Sequence, residues 1–271
     1  MTTYVKAEIV TTSAEQSEIL MSELSDNQFY AFEQEENSLL AYIKQIDFNE
    51  EKLKTLLPET ATYTYSVIED RNWNEEWESQ LQPVFIHNFV GIRASFHEPL
   101  KHVAHEIIIT PKMSFGTGHH ATTFLMIELM ANIDFKNKRV LDFGTGTGIL
   151  SILSEKLGAA SVTAIDCDEW SINNTRENIE ANQCEYIFPE KSNNITGITF
   201  MDIILANINF TVLLENAENL STLLRSPSIL AISGILSKDE GAIISVFVKN
   251  GFVKKQMLQK EGWLALLFEK Q

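Results

Sequence analysis

The stretch VLDFGTGTGIL, Val140–Leu150, decides the fold class of this 271-residue chain. An apolar run typical of a buried strand is followed by three glycines at alternating positions, Gly144, Gly146 and Gly148. Glycine lets a chain turn sharply, and it brings backbone N–H groups close to a ligand because no Cβ intervenes. The stretch therefore predicts a ligand-binding turn between a strand and a helix, the alternative being a glycine turn without a chemical role.

The spacing of these glycines narrows the class of ligand. Dinucleotide sites use G-x-G-x-x-G, whereas here the third glycine comes one position early and Ile149 stands in its place. A phosphate-binding P-loop is excluded because no Gly-Lys-Ser/Thr follows. The G-x-G-x-G spacing thus favours a ligand without a pyrophosphate.

The sequence around the turn alternates between strand and helix patterns. Strands are predicted at KRVLDF, SVTAIDCD, MDIILANI and SILAISGI, helices between and after them, and two closing strands at VKKQMLQK and WLALLFEK. Apolar strands separated by helices are typical of a parallel sheet that is buried on both faces. In such sheets the ligand lies beyond the carboxyl ends of the strands, which is where the glycines fall.

Asp166 ends the next predicted strand, 22 positions after Gly144. An acid about 20 residues beyond the glycines is the usual ligand of ribose hydroxyls in Rossmann-like sites. A carboxylate can accept hydrogen bonds from both hydroxyls of a nucleoside. Asp168 is better placed to cap the following helix. Asp166 is therefore predicted to hold a ribose.

The first 68 residues follow a different pattern, in the order strand, helix, two strands, helix, strand. The segments are YVKAEIV, SAEQSEILMSELSDN, FYAFEQEENSLLAYIKQ with a turn at residues 36–38, FNEEKLKTLL and TYTYSVIE. This order predicts a small ferredoxin-like α+β domain. Residues 69–102 are predicted to form a linker, with a short helix carrying Trp73 and Trp77 and then strand-like sequence, before the large domain at residues 103–271.

The charge of the chain is unevenly distributed. The net charge is −16, and residues 1–70 contain 14 acidic and four basic residues. Nucleic-acid affinity comes largely from Lys and Arg, so direct nucleic-acid binding is not expected. The acidic surface could serve a basic protein partner or simply keep the protein soluble.

Further sequence features concern the cellular compartment. No apolar run reaches the length of about 18 residues that a membrane span requires, and the N-terminal segment lacks the pattern of a signal peptide. Cys167 and Cys184 form neither a disulfide framework nor a metal-binding spacing. A cytoplasmic protein without membrane association is expected.

Four segments of the sequence resemble those of known families. The glycine turn with its ribose acid resembles the S-adenosylmethionine site of Rossmann-like class I methyltransferases. MSFGTGHHATT, residues 113–123, resembles the FGTG-x-H-x-TT signature of bacterial methyltransferases that modify ribosomal protein L11. LANI, residues 205–208, and NWNEEWESQLQPV resemble further segments of that family, although Asn72, Glu78 and Leu81 depart from its linker pattern.

The resemblance implies a cofactor, a substrate and a set of site residues. S-adenosylmethionine contacts are implied at Thr123, Gly144, Asp166 and Asn207, with Gly146 in the same turn. Asn207 is also the candidate for positioning the acceptor amine. The implied reaction is methylation of lysine side chains and the N-terminal amine of L11, with residues 1–68 recognising this substrate. No sequence feature bears on the oligomeric state, and a monomer is expected by default.

Other interpretations remain open at this point. The chain could methylate another protein, RNA or a small-molecule amine, or it could bind the cofactor without catalysis. The pair His119 and His120 could suggest a metal, yet no third ligand with a recognisable spacing accompanies it, so no metal is expected.

Overall fold

The computed structural model describes residues 3–11, 13–25, 27–29, 31–34, 38–58, 61–68, 82–110 and 116–271. The chain forms two compact units, Met1–Gln80 and Leu81–Gln271. The helix predicted around Trp73 and Trp77, most of the turn at 36–38 and the start of the FGTG signature lie outside the described residues. Among the helices of the described part, none is long and apolar enough to cross a membrane.

Within its described residues, the first unit contains a four-stranded antiparallel sheet and two α-helices. Its elements are β1 (Tyr4–Val10), α1 (Ala14–Ser25), β2 (Ala31–Gln34), β3 (Ser38–Lys44), α2 (Glu50–Leu56) and β4 (Tyr63–Ile68). The strand order β2-β3-β1-β4 is the ferredoxin-like order, which confirms the predicted fold of this unit. Alternate residues of β1 (Val5, Ala7 and Ile9) are buried in its core, as strand periodicity requires.

The second unit begins with a small three-stranded sheet of order β5-β6-β7. Its strands are β5 (Val84–Ile86), β6 (Val90–Ala94) and β7 (His105–Ile109). The sequence VFIHNFVGIRASF has strand character throughout, but the structure breaks it into a hairpin at His87, whose φ is +49°. β6 and β7 are held together by Arg93, which donates to both carboxylate oxygens of Glu106 at 2.8 and 3.2 Å.

The remaining elements form a seven-stranded sheet flanked by helices. In chain order they are α3 (Ala121–Met130), β8 (Arg139–Phe143), α4 (Ile149–Lys156), β9 (Ser161–Asp166), α5 (Glu169–Ala181), β10 (Ile187–Lys191), β11 (Met201–Asn207), α6 (Phe210–Leu223), β12 (Leu224–Leu236), α7 (Glu240–Lys249), β13 (Phe252–Lys260) and β14 (Trp263–Lys270).

The sheet has the order β10-β9-β8-β11-β12-β14-β13. Neighbours from β10 to β12 are parallel, while β14 runs antiparallel between β12 and β13. Separate apolar clusters cover the two faces, which confirms the predicted Rossmann-like layering. The chain leaves β8 toward β9 and returns on its other side at β11, so the crevice for a ligand lies between the ends of β8 and β11.

Strand β10 is absent from the sequence prediction. It contains Pro189, which has no N–H to donate to a neighbouring strand. The structure places β10 at the edge of the sheet, where it pairs only with β9. An edge strand needs a full set of hydrogen bonds on one side only, so proline is tolerated there.

Candidate functional site

The glycine turn leaves β8 in a conformation that only glycine adopts easily. Gly144, Gly146 and Gly148 have φ values of +80°, +56° and +82°. The N–H groups of Gly144 and Thr145 both donate to the carbonyl of Ile165, at 2.8 and 2.9 Å. These two hydrogen bonds hold the turn against the end of β9. Gly148 is the N-cap residue of helix α4.

Asp142 lies beneath this turn and was missed by the sequence analysis. Its Oδ2 accepts hydrogen bonds from the hydroxyls of Thr145 at 2.8 Å and Ser151 at 2.7 Å, while its Oδ1 is buried without a partner in the described part of the chain. Complete burial raises the pKa of this carboxyl to about 6. The signal that could have found it is an acid within the otherwise apolar strand VLDF.

Asp166 is joined to the glycine turn, as its predicted role requires. Its Oδ2 accepts from the backbone N–H of Gly146 at 2.9 Å, and its Oδ1 accepts from that of Asp168 at 3.0 Å. A carboxylate has about four acceptor positions, so two remain for a ligand. Asp168 caps α5 by accepting from Ser171 N at 3.0 Å, in agreement with the sequence analysis.

A cavity of about 540 Å³ opens along the carboxyl ends of the parallel strands. Its residues come from the ends of β8, β9, β10, β11 and β12, from the start of the reversed strand β14 and from the first turns of helices. They are His120, Thr122, Phe143, Gly144, Gly146, Asp166, Cys167, Ser171, Ser192, Asn193, Asn207, Ile208, Asn209, Val212, Gly234 and Trp263.

The cavity brings together four of the five predicted site residues: Gly144, Gly146, Asp166 and Asn207. The Oδ1 atom of Asn207 is buried and has no hydrogen-bond partner among the residues that the structure describes. Thr123 does not line the cavity, whereas its neighbour Thr122 does. Thr123 is fully buried, and no described residue bonds its hydroxyl.

The two histidines of the signature make different contacts. Nε2 of His119 lies 3.1 Å from the carbonyl oxygen of Gln82. His120 caps helix α3 by accepting from Thr122 N at 3.2 Å, and its ring meets that of Trp263 edge-on, with centroids 5.0 Å apart. Within the described ranges, no group of three His, Cys, Asp or Glu residues is arranged to hold a metal ion.

A row of asparagines on α5 joins the glycine turn to β7. Asn174, Asn178 and Asn182 are spaced four apart, so they share one helix face. The amide of Asn178 accepts from Thr110 N at 2.7 Å and donates to the carbonyl of Thr147 at 2.8 Å. The other two amides bind backbone groups of residues 108 and 110. Residues 108–110, which precede the FGTG signature in the sequence, are therefore linked to the glycine turn by hydrogen bonds through these asparagines.

Comparison with solved structures supports this architecture. The structure resembles a crystal structure of ribosomal protein L11 methylase from Lactobacillus delbrueckii subsp. bulgaricus, with a TM-score of 0.66 and 27% identity, covering 70% of this chain and 100% of that one. A tRNA m1G37 methyltransferase from M. jannaschii matches with a TM-score of 0.52 at 16% identity over 98% of this chain and 99% of that one. The second likeness is one of fold alone.

Comparison of sequences extends over nearly the whole chain. A protein named ribosomal protein L11 methyltransferase from Bacteroides thetaiotaomicron is 37% identical over 261 residues, 93% of each chain. The model of the family described as Ribosomal protein L11 methyltransferase (PrmA) matches residues 2–271. The chain therefore belongs to the ribosomal protein L11 methyltransferase family.

Proposed function

We propose that this enzyme transfers methyl groups from S-adenosylmethionine to amines of ribosomal protein L11. The observation that carries the proposal is the cavity between the ends of β8 and β11, which Asp166 and Asn207 line on opposite sides of the glycine turn. Family membership supplies the substrate, because the sequence relatives carry the name of an L11 methyltransferase.

The residues present fit this cofactor. The volume of about 540 Å³ is in the range of small-molecule sites. Asp166 would bind the ribose hydroxyls through its remaining acceptor positions, and the bare turn at Gly144 and Gly146 lets the ligand approach the backbone. The buried Oδ1 atom of Asn207 has no partner among the described residues, and buried polar groups normally have one. When bound, the cofactor supplies a methyl group on a sulfonium, which is a good leaving group.

The order of the strands suggests which end of the cavity holds the ribose and which end admits the acceptor. Asp166 and Cys167 follow β9, whereas Asn207 and Ile208 follow β11, on the other side of β8. A ribose held at Asp166 would leave the remainder of the cofactor pointing toward Asn207. We therefore propose that the acceptor amine enters on the β11 side, where the rings of His120 and Trp263 form part of the wall.

The acceptor must reach the site as a neutral amine. A free lysine with a pKa of about 10.4 is neutral in about one molecule in 2,500 at pH 7, a cost of about 4.6 kcal/mol. Desolvation and a nearby positive charge both lower the pKa of an amine. Asn207 would hold the amine through its side-chain oxygen or a nearby carbonyl, either of which can accept a hydrogen bond from the amine N–H and keep the nitrogen lone pair directed at the methyl group. Alignment of this kind contributes up to about 7–11 kcal/mol.

We further propose that residues 1–68 recognise the protein substrate. The unit that contains residues 1–68 has its own apolar core, separate from the two cores of Leu81–Gln271. Its excess of acidic residues suits a basic partner such as a lysine-rich protein surface. Deleting residues 1–68 is expected to abolish L11 methylation and to preserve cofactor binding, whereas full methylation by the truncated enzyme would contradict this division.

The function is tested by mass spectrometry of unmethylated L11 incubated with the enzyme and S-adenosylmethionine. Mass increments of one or more methyl groups on amines are expected. Radioactive methyl donor with whole ribosomes then shows whether label enters protein, as proposed, or RNA, which would refute the substrate assignment.

The role of Asn207 is tested separately. Asn207→Ala is expected to lower kcat at saturating cofactor by about 100-fold, because a misplaced reactant loses this much. Asn219→Ala provides a matched control, since Asn219 is exposed on α6 and should leave turnover unchanged. Wild-type turnover by Asn207→Ala would remove the proposed role.

A further inference from the structure

The residue that follows Asn207 is enclosed by two glycines. A Cβ atom on Gly234 would lie 2.1 Å from the carbonyl oxygen of Ile208, and one on Gly144 would lie 2.2 Å from its Cγ2. Both distances are far shorter than any real contact of a Cβ atom. Ile208 therefore fits in its place only because positions 144 and 234 are glycines, which have no side chain. Gly144, Ile208 and Gly234 all line the cavity.

Gly234 reaches this position through an irregularity in β12. The pairing of β12 with β14 shifts register between Ser233 and Ile235, and Gly234 between them has a φ of +85°. A β-bulge of this kind re-aims the chain and is frequent beside active sites. The hydroxyl of Ser233 stabilises the bulge by donating to the carbonyl of Leu264 at 2.7 Å. On the other side of β12, Ser233 is the register partner of Asn207.

The two glycines restrain different parts of Ile208. At Gly144 the opposing atom belongs to the Ile208 side chain, which can rotate or be shortened. At Gly234 the opposing atoms are the backbone oxygen, carbon and nitrogen of Ile208, at 2.1, 2.7 and 3.2 Å from the added Cβ. The backbone cannot avoid a side chain at position 234 without moving, and Asn207 is bonded directly to it.

We propose that Gly234 is a positioning residue for methyl transfer, since its bulge sets the backbone of Ile208 and thereby the place of the Asn207 amide in the cavity. This inference rests on the proposed function of Asn207. It assigns to the β12 bulge a part in aligning the acceptor amine, although Gly234 has no side chain with which to touch it.

The decisive variant is Gly234→Ala. We expect kcat for L11 to fall about 100-fold, with the Kd for S-adenosylhomocysteine changed by less than about 5-fold. The matched control is Gly197→Ala, because Gly197 has a similar φ of +84° but no atom within 4 Å of an added Cβ. The control variant carries the same backbone strain without the collision, so it should retain wild-type kcat. Equal kcat in the two variants would overturn the proposal.

A double variant separates backbone from side-chain collisions. Ile208→Ala removes the Cγ2 atom that opposes Gly144, so it should restore part of the thermal stability lost in Gly144→Ala. The same change leaves the backbone of residue 208 in place, so it should not rescue Gly234→Ala. Rescue of both glycine variants to the same extent would overturn the assignment of Gly234 to the backbone of Ile208.

If Gly234→Ala does not fold, a second variant tests the same proposal. Ser233→Ala removes the bond to Leu264 without adding atoms, and it should lower kcat about 5-fold with unchanged affinity for S-adenosylhomocysteine. Unchanged kcat would count against the proposal. Failure of the wild-type enzyme to methylate L11 would instead refute the proposed function, so the two failures are distinguishable.

Discussion

The backbone N–H of Gly146 donates to the carboxylate of Asp166 across 2.9 Å, although 20 residues separate them in sequence. This bond joins the turn after β8 to the acid that ends β9. The two parts of the sequence motif therefore act together, because a shift of the turn also moves the group expected to bind ribose.

Replacing Asp166, which we propose binds the ribose, should weaken the binding of S-adenosylmethionine and of S-adenosylhomocysteine, which lacks the methyl group, to the same extent. In Asp166→Asn an acceptor oxygen becomes an NH2 group, so we expect affinity to fall at least 10-fold for both S-adenosylmethionine and S-adenosylhomocysteine, measured by calorimetry. Asp168→Asn is the control, because asparagine is an equally good helix cap. A loss confined to S-adenosylmethionine would show that Asp166 binds near the sulfonium instead.

The buried acid Asp142 should make the stability of the cofactor-free protein depend on pH. Burial raises its pKa from 3.8 to about 6, so it favours the folded state below pH 4 and this contribution is lost as the pH rises through 6. Asp142→Asn should therefore be more stable than the wild type at pH 8, by about 3 kcal/mol at most, in urea unfolding. The difference should shrink toward pH 4. Parallel pH profiles of the two proteins would contradict this expectation.

The asparagine row should contribute to both stability and cofactor binding. Asn178→Ala leaves the part-buried N–H of Thr110 and the buried carbonyl of Thr147 without their partner, which we expect to cost about 2–4 kcal/mol in the free energy of unfolding. Cofactor affinity should fall as well, because Thr147 belongs to the glycine turn. Asn173→Ala changes the exposed face of the same helix and should alter neither quantity. Equal effects of the two variants would show that the row has no special role.

The two cysteines offer a test that needs no mutation. Cys167 is exposed and lines the cavity, so iodoacetamide should label it, and S-adenosylhomocysteine should slow the labelling. Burial raises the pKa of the Cys184 thiol to about 11, so little of the reactive thiolate forms at pH 7.5 and this residue should remain unlabelled. Peptide mass spectrometry measures both. Labelling of Cys167 that is unaffected by the ligand would place the cofactor elsewhere.

Much of the fold was predictable because its signals are local. The glycine spacing, the acid at the end of β9 and the apolar strands all follow from short-range periodicity, and the predicted Rossmann-like and ferredoxin-like units are confirmed. Strand β10 could not be predicted, since Pro189 is acceptable only at a sheet edge and edge position is a property of the whole fold.

The site was predictable only in part. Gly144, Gly146, Asp166 and Asn207 meet in one cavity, but the contributions of Gly234 and Trp263 depend on strands that are adjacent in space and distant in sequence. The unpartnered oxygens of Asp142 and Asn207 are likewise invisible in a sequence, because an absent partner can be recognised only once the surroundings are known.

The composition of the two outermost strands of the large sheet bears on how the protein behaves at high concentration. Pro189 interrupts the free edge at β10, and lysines occur at three positions of β13, Lys254, Lys255 and Lys260. Proline and lysine on exposed edges discourage a second molecule from adding its strand to the sheet. Both edges of the large sheet therefore disfavour edge-to-edge aggregation.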